Sequence, residues 1–315
     1  MVDMITVDTA PAVQRITSFA GLRRQAQQVG PKRVAVVVAD DEIALTAADR
    51  ALELGIAALV LLGDVQKIRA KAEELGLSGL LAEAELVASD DPATEAVRLA
   101  REGSISVLLK GHLRTDELLH AVLDKETGLR TGRLLSDVLL YEDKLAGDTR
   151  LVGITDGGLN VLPTLEQKEQ IVRNAIEVIR CLGITRPKIA IMSATESVSA
   201  SVPSTEDAQR LTHMAEGGEF GEVDLYGPIA LDCALLESAA RAKGIVHPVA
   251  GHADCMVVPN IEAGNLLGKA VKYLGGSQCA HVVVGAKVPI LIPSRVESAD
   301  DKVNSMALGV LFAAR

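Results

Sequence analysis

Short apolar runs alternate with longer stretches in which apolar positions recur every three or four residues, and this rhythm holds from residue 33 almost to the end of the chain. Residues 33–39 (RVAVVVA) read as a buried strand and residues 42–54 as the helix after it. Residues 57–62 (AALVLL) make a second strand, and Asp64 caps a helix running through Glu74. A strand at 84–88, a helix at 92–101, a strand at 105–109 and a helix at 115–123 continue the series. Successive strand–helix–strand units predict a parallel sheet covered by helices on both faces, because the right-handed crossover lays each helix back over the sheet.

The pattern changes after Gly128. Apolar runs at 134–141 and 151–155 are separated by the polar stretch 142–150, which reads as a hairpin-like or crossover connection. A helix at 164–182 follows Pro163, then a strand at 188–192, a helix at 204–215, a strand at 223–226 and a helix at 229–242. A strand at 255–258, a helix at 261–273, strands at 280–284 and 290–292 and a helix at 300–312 complete the chain. No repeat of fixed period and no low-complexity linker interrupts this order. A division near Gly147 gives two α/β lobes, 1–147 and 148–294.

Composition narrows the class. Hydrophobic residues make up 48% of the 315, but aromatics only 2%, so the core must be built from Ala, Val, Leu and Ile, as suits parallel strands under helices. So few rings serve base stacking poorly, and a formal charge of −10 opposes binding to nucleic acid or an anionic membrane. A few Lys or Arg can still form a local pocket for a small anion. Residues 1–20 carry acidic side chains and no continuous apolar run, which argues against a secretory signal, and no apolar stretch is long enough for a membrane span. Cys181, Cys233, Cys255 and Cys279 are scattered without metal or redox spacing and read as free buried thiols in a reducing cytoplasm. The six His show no HExxH pattern; His252 and Asp254 beside Cys255 read as an ordinary loop, and no metal is expected.

Three segments could carry chemistry. The run 289–295 (PILIPSR) leaves a buried strand for a polar turn, so Ser294 and Arg295 sit where ligands gather in open α/β sheets, with Glu297, Asp300 and Asp301 close behind. A hydroxyl, a guanidinium and a carboxylate at one strand end suit a phosphate-bearing substrate; the plainer reading makes Ser298 or Asp300 a helix cap and Arg295 a surface cation. At 108–115 a strand ends on Lys110, Gly111 lets the backbone approach a ligand, and Thr115 opens a helix whose free amides favour an anion. The turn 155–160 (TDGGLN) follows another strand, but lacks the P-loop spacing, and no GxGxxG follows the first strand.

Five blocks in order, at 108–138, 154–168, 226–235, 257–276 and 282–308, resemble the phosphate acetyl/butyryltransferase family, and its butyryltransferase branch more closely. The resemblance covers about residue 32 to the C-terminus. It implies a two-lobed α/β fold like that of isocitrate/isopropylmalate dehydrogenases, an interlobe cleft, a homodimer, and a C-terminal segment 295–315 returning to the first lobe. The family's Ser–Arg pair matches Ser294 and Arg295. Its acidic base, six residues beyond the Arg in the acetyl branch, lands on Asp301, with Glu297 and Asp300 as close competitors. Lys110, Thr115, Ser136 and Asn160 are secondary candidates for lining the cleft.

The activity so implied is acyl-CoA + phosphate ⇌ acyl phosphate + CoA through a ternary complex, with acetyl or butyryl as the acyl group. Coenzyme A and phosphate enter as substrates, and no permanently bound cofactor is needed. A covalent acyl-enzyme on Cys255 is the rival route. A β-decarboxylating hydroxy-acid dehydrogenase and a non-catalytic acyl-CoA-binding relative are the alternative functions. The former needs a nicotinamide site and an Asp cluster, neither of which has a pattern in the sequence.

Overall fold

The computed structural model describes residues 15–145, 147–294 and 297–315. Helix α1 (Phe19–Val29) leads into β1 (Lys32–Val37), α2 (Glu42–Glu53), β2 (Ala57–Gly63), α3 (Val65–Glu74), α4 (Ser78–Glu83), β3 (Glu85–Ala88), α5 (Pro92–Arg101), β4 (Val107–Lys110) and α6 (Thr115–Leu123). Then come β5 (Ser136–Asp143), β6 (Arg150–Thr155), α7 (Leu165–Arg180), β7 (Lys188–Met192), α8 (Pro203–Glu216) and β8 (Asp224–Ile229). The rest is α9 (Leu231–Leu235), α10 (Glu237–Ala242), β9 (Cys255–Val257), α11 (Ile261–Lys269), a π-helical turn (Ala270–Leu274), β10 (Cys279–Val284), β11 (Ile290–Leu291) and α12 (Ala299–Ala313). No described helix is long and apolar enough to cross a membrane.

Among the described residues the strands join in one sheet of eleven, ordered β3-β2-β1-β4-β11-β10-β5-β6-β9-β7-β8. Strands β3, β2, β1, β4 and β11 run parallel to one another, and so do β6, β9, β7 and β8. Between the two sets lie β10 and β5, each antiparallel to both of its neighbours. The fold is mixed α/β, and the polar stretch after β5 is a hairpin connection.

Local chemistry accounts for most element boundaries. Asp41, Asp64 and Asp91 accept hydrogen bonds from the first free amides of α2, α3 and α5, and Thr164 and Ser298 form capping boxes at α7 and α12. The helix expected over 229–242 is two helices, because Leu236 is extended (φ −120°, ψ 115°) between them. The helix expected over 261–273 changes at Ala270 into the π-helical turn. Two helices fall outside the expected pattern, α1 and α4. Helix α1 is capped by Ser18 and buries Phe19, Leu22 and Ala26 on one stripe.

Alternation along the strands sends side chains to two different layers. Val34, Val36, Val138, Leu140, Ala280 and Val282 face one way, into a single apolar core that also takes in α1, α2, α7, α8 and α12. Ala35, Val37, Val60 and Leu108 face the other way and pack with α5 and α6. Leu139, Tyr141, Val152 and Ile154 share that second face but pack with α9 and α10. The second layer is therefore two separate cores. Helix α12 lies against α1, α2 and β10.

Candidate active site

A cavity of about 340 Å³ opens on the split face, where β5, β6 and β10 meet α11. Register explains which side chains reach it. His281 on β10 and Ile154 on β6 both sit opposite Leu139 on β5, so the three form a row across the sheet. Asp137, two residues before Leu139, projects from the same face. Helix α11 comes close enough to roof this row because Gly157 and Gly264 touch: a Cβ on Gly264 would lie 2.7 Å from Gly157 Cα. The next glycine is equally confined, since a Cβ on Gly158 would lie 2.9 Å from Asp137 Oδ2.

The charged lining is Asp137, His281, Glu297, Lys269 and Lys272, with Ser294, Thr115, Asn265 and Tyr273 among the neutral polar groups. His281 Nδ1 lies 3.0 Å from Asp137 Oδ2, and His281 Nε2 lies 3.4 Å from Glu297 Oε1. Burial alone would depress the His281 pKa, but Asp137 and then Glu297 outweigh it and hold the imidazole well above its ordinary value. For Glu297, burial opposes ionisation, yet its pairing with His281 prevails and the carboxyl titrates below its usual range. Its Oε2 is buried without a hydrogen-bond partner. Behind Asp137, Asp156 accepts from the amides of Gly158 and Leu159 at 2.8 and 2.9 Å, and burial followed by the Asp137 charge raises its pKa.

Ser294 is exposed just beyond β11, in a wall shared by this cavity and a neighbouring groove. Arg295 lies outside the described residues. Thr115 lines both spaces as the first residue of α6, a helix whose N-terminus has no side-chain cap. Lys110 lines the groove and is buried at the end of β4, its Nζ donating to Leu113 O at 3.4 Å.

The other expected residues lie elsewhere. Asp301 is wholly buried beneath the cavity and is not part of its lining. Its carboxylate accepts from Lys272 Nζ, from Cys279 N at 2.8 Å and from Ser298 N and Oγ at 3.1 and 2.5 Å. Burial opposes the charge, but Lys272 and Ser298 dominate and keep the Asp301 pKa low. Asp300 faces away, toward Arg50 and Arg23 at 3.1 and 3.4 Å. Ser136 is buried on the opposite face of the sheet, accepting from Asn174 Nδ2 at 2.8 Å. Asn160 braces the turn after β6, donating to Leu135 O at 2.9 Å and Asp156 Oδ2 at 2.5 Å.

Cys255 is completely buried, and burial drives its thiol far up the pH scale, so the acyl-enzyme route has neither access nor a thiolate there. Asp254 is taken by Arg15 at 2.7 Å and the Lys188 amide at 2.9 Å. The residues missed in the sequence are Asp137, His281, Lys269 and Lys272. For Asp137 and His281 the available signal was an ionisable group inside an apolar strand, as in SDVLL and CAHVVV; the lysines lie on α11 and the turn after it and carried no such signal.

The family model described as phosphate acetyl/butaryl transferase matches residues 78–310. A phosphate acetyltransferase of Rhizobium meliloti is 43% identical, over 87% of this chain and 87% of its own. A phosphate butyryltransferase of Clostridium beijerinckii is 38% identical, over 95% of this chain and 98% of its own. Among solved structures, a branched-chain phosphotransacylase from Enterococcus faecalis V583 superposes with a TM-score of 0.78 at 28% identity, covering 89% of this chain and 99% of that one.

Proposed function

This chain belongs to the phosphate acetyl/butyryltransferase family, and we propose that it transfers a short acyl group between coenzyme A and inorganic phosphate. The observation that carries this reading is a single cavity holding a strand-end hydroxyl, Ser294, with cationic Lys269 and Lys272 and the acidic Glu297. An acyl phosphate needs cations for its phosphate and a proton acceptor for the attacking thiol, and this lining offers both.

In the CoA-consuming direction, the thiol attacks the acyl carbonyl and the phosphate leaves. Ser294 hydrogen-bonds the developing oxyanion or the phosphate, and Arg295 neutralises the phosphate as it departs. Lys272, steadied by Asp301 from below, adds a second cation at the cavity wall. This arrangement gives Asp301 a bracing role and leaves the thiol proton to a group that lines the cavity. Thr115 and Lys110 line the approach from the groove.

The reading extends to a two-lobed isocitrate/isopropylmalate-dehydrogenase-like arrangement, with lobes 1–147 and 148–294 and the segment from 295 returning to the first. The split of the second apolar layer and the packing of α12 on α1 and α2 support it. It further takes the protein to be a cytoplasmic homodimer; four buried free cysteines support a reducing compartment. The dehydrogenase alternative gains no support, since the residues after β1, Val38 to Asp41, include no glycine to admit a dinucleotide.

The deciding measurement is phosphate-dependent release of free thiol from acyl-CoAs of two to six carbons. Release that tracks added phosphate and peaks at one chain length is expected. No release with any of them overturns the assignment.

A further inference from the structure

We propose that Leu139, where it meets Gly268 of the roof, ends the acyl-binding part of the cavity and fits it to a saturated chain of butyryl length rather than acetyl. This deepens the acyl-transfer reading above and rests on it. Gly264, Gly268 and Lys272 recur every four residues along α11 and the turn after it. Each meets a different strand. Gly264 touches Gly157 in the turn after β6, and Gly268 stands over Leu139 on β5. Lys272 pairs with Asp301, which also holds the first amide of β10. Backbone meets backbone at the first contact, a leucine side chain fills the gap at the second, and a lysine side chain spans it at the third. The space under the roof is therefore a wedge, wide at β10 and closing toward β6.

Polarity changes along the same direction. Ser294, Glu297 and Lys272 stand at the wide end, and Glu297, itself buried, has an oxygen there without a partner. An unpaired buried oxygen marks that end for the reacting groups. The Asp137–His281 pair lies between the two ends with its charges matched, His281 also facing Glu297. At the narrow end the floor is Leu139 and Ile154, and the roof above them is glycine. A surface without unmatched charge suits a hydrocarbon tail and no part of a phosphate.

The direction of the chain follows from the entrance. The neighbouring groove shares Thr115, Ile292 and Ser294 with the cavity, so the pantetheine arm of CoA arrives at the wide end. With the acyl carbonyl beside Ser294, the tail points away from the arm and into the wedge. An acetyl methyl stops short of Leu139 and leaves that apolar floor uncovered. Each further methylene buried against it is worth about fourfold in kcat/KM. The gain ends where floor and roof meet, because a Cβ on Gly268 would already lie 3.2 Å from Leu139 Cδ1. No carbon chain passes between them.

The test is the kcat/KM of acetyl-, butyryl- and hexanoyl-CoA in phosphate-dependent thiol release, for the parent, Leu139→Ala and Gly268→Ala. The parent is expected to favour butyryl over acetyl by about tenfold and to fall again at hexanoyl. Leu139→Ala removes the end stop, so hexanoyl should gain on the order of tenfold relative to butyryl. Gly268→Ala sets a methyl against Leu139 Cδ1, the movable end of that side chain, and pushes it into the wedge. Butyryl should then lose on the order of tenfold relative to acetyl. Gly268→Ala opens no void and adds a good helix former, so it keeps the test decisive if Leu139→Ala folds poorly. Both readouts are ratios between substrates, which a purely structural role would leave in place. A parent that prefers acetyl, or an unchanged ratio in either folded variant, overturns the role of Leu139 and leaves the acyl-transfer reading standing. A parent that releases no thiol from any of the three overturns both.

Discussion

The two faces of the sheet share the same strands and differ in what covers them. On one face, α1, α2, α7, α8 and α12 bury a continuous layer of Ala, Val, Leu and Ile. On the other, two cores stop short of each other, and the seam between them holds Asp137 and His281. The difference teaches how one sheet can be both scaffold and site. Apolar packing on the covered face stabilises the strands, so the open face can keep ionisable groups out of bulk water. Those groups are tolerable only because each is paired or hydrogen-bonded.

The comparison can be broken most sharply at the seam. Ser294→Ala and Arg295→Ala should each lose on the order of a hundredfold or more in turnover, about 3–4 kcal/mol of transition-state stabilisation, with unchanged thermal melting. Normal turnover in either would place the chemistry elsewhere. A smaller effect is expected where the roof meets the seam. In Gly264→Ala the new methyl must displace backbone at Gly157 and Asp156, an overpacking cost of about 1–3 kcal/mol. Urea unfolding would show this, and acyl-CoA should bind more weakly as α11 lifts from the cavity. A variant as stable as the parent would show that the close approach is dispensable.

The covered face should respond in the opposite sense. Ile189→Val, fully buried on that side, is expected to cost about 0.5–1.5 kcal/mol of stability and leave turnover per folded molecule unaltered. A change in KM from this variant would link the two faces. The smallest effects are those of pH on stability, read from calorimetric melting. The His281 pKa is raised on folding, so its contribution is complete below the unfolded value of about 6.5 and fades as pH climbs through the folded value. Asp301 is depressed, so its contribution is complete above about 3.9 and is lost as pH falls through the folded value. His281→Gln should remove the alkaline loss and leave the acid one.

Much of this arrangement is legible in the sequence. The pattern 92–101 and 115–123 matches α5 and α6 at both ends, since Pro92 and the last apolar positions of each stripe mark their limits. Ser294 was readable as the residue leaving a buried strand, and Thr115 as a helix start. Ser136 and Asn160 were not placed by such rules. The pleat turns Ser136 to the covered face, one residue out of phase with Asp137, and Asn160 is spent on holding its own turn. Nor could the competition among Glu297, Asp300 and Asp301 be resolved by counting from Arg295, because the turns of α12 point successive acids in different directions.

By itself, the sequence determined the alternation of strands and helices, the aliphatic core and the family, because periodicity, caps and motif blocks are local properties of the chain. Only the tertiary structure decided that Asp137 and His281, separated by 144 positions, would meet. Their contact depends on the register between two distant strands and on where two apolar cores fail to join, and no short window of residues encodes either.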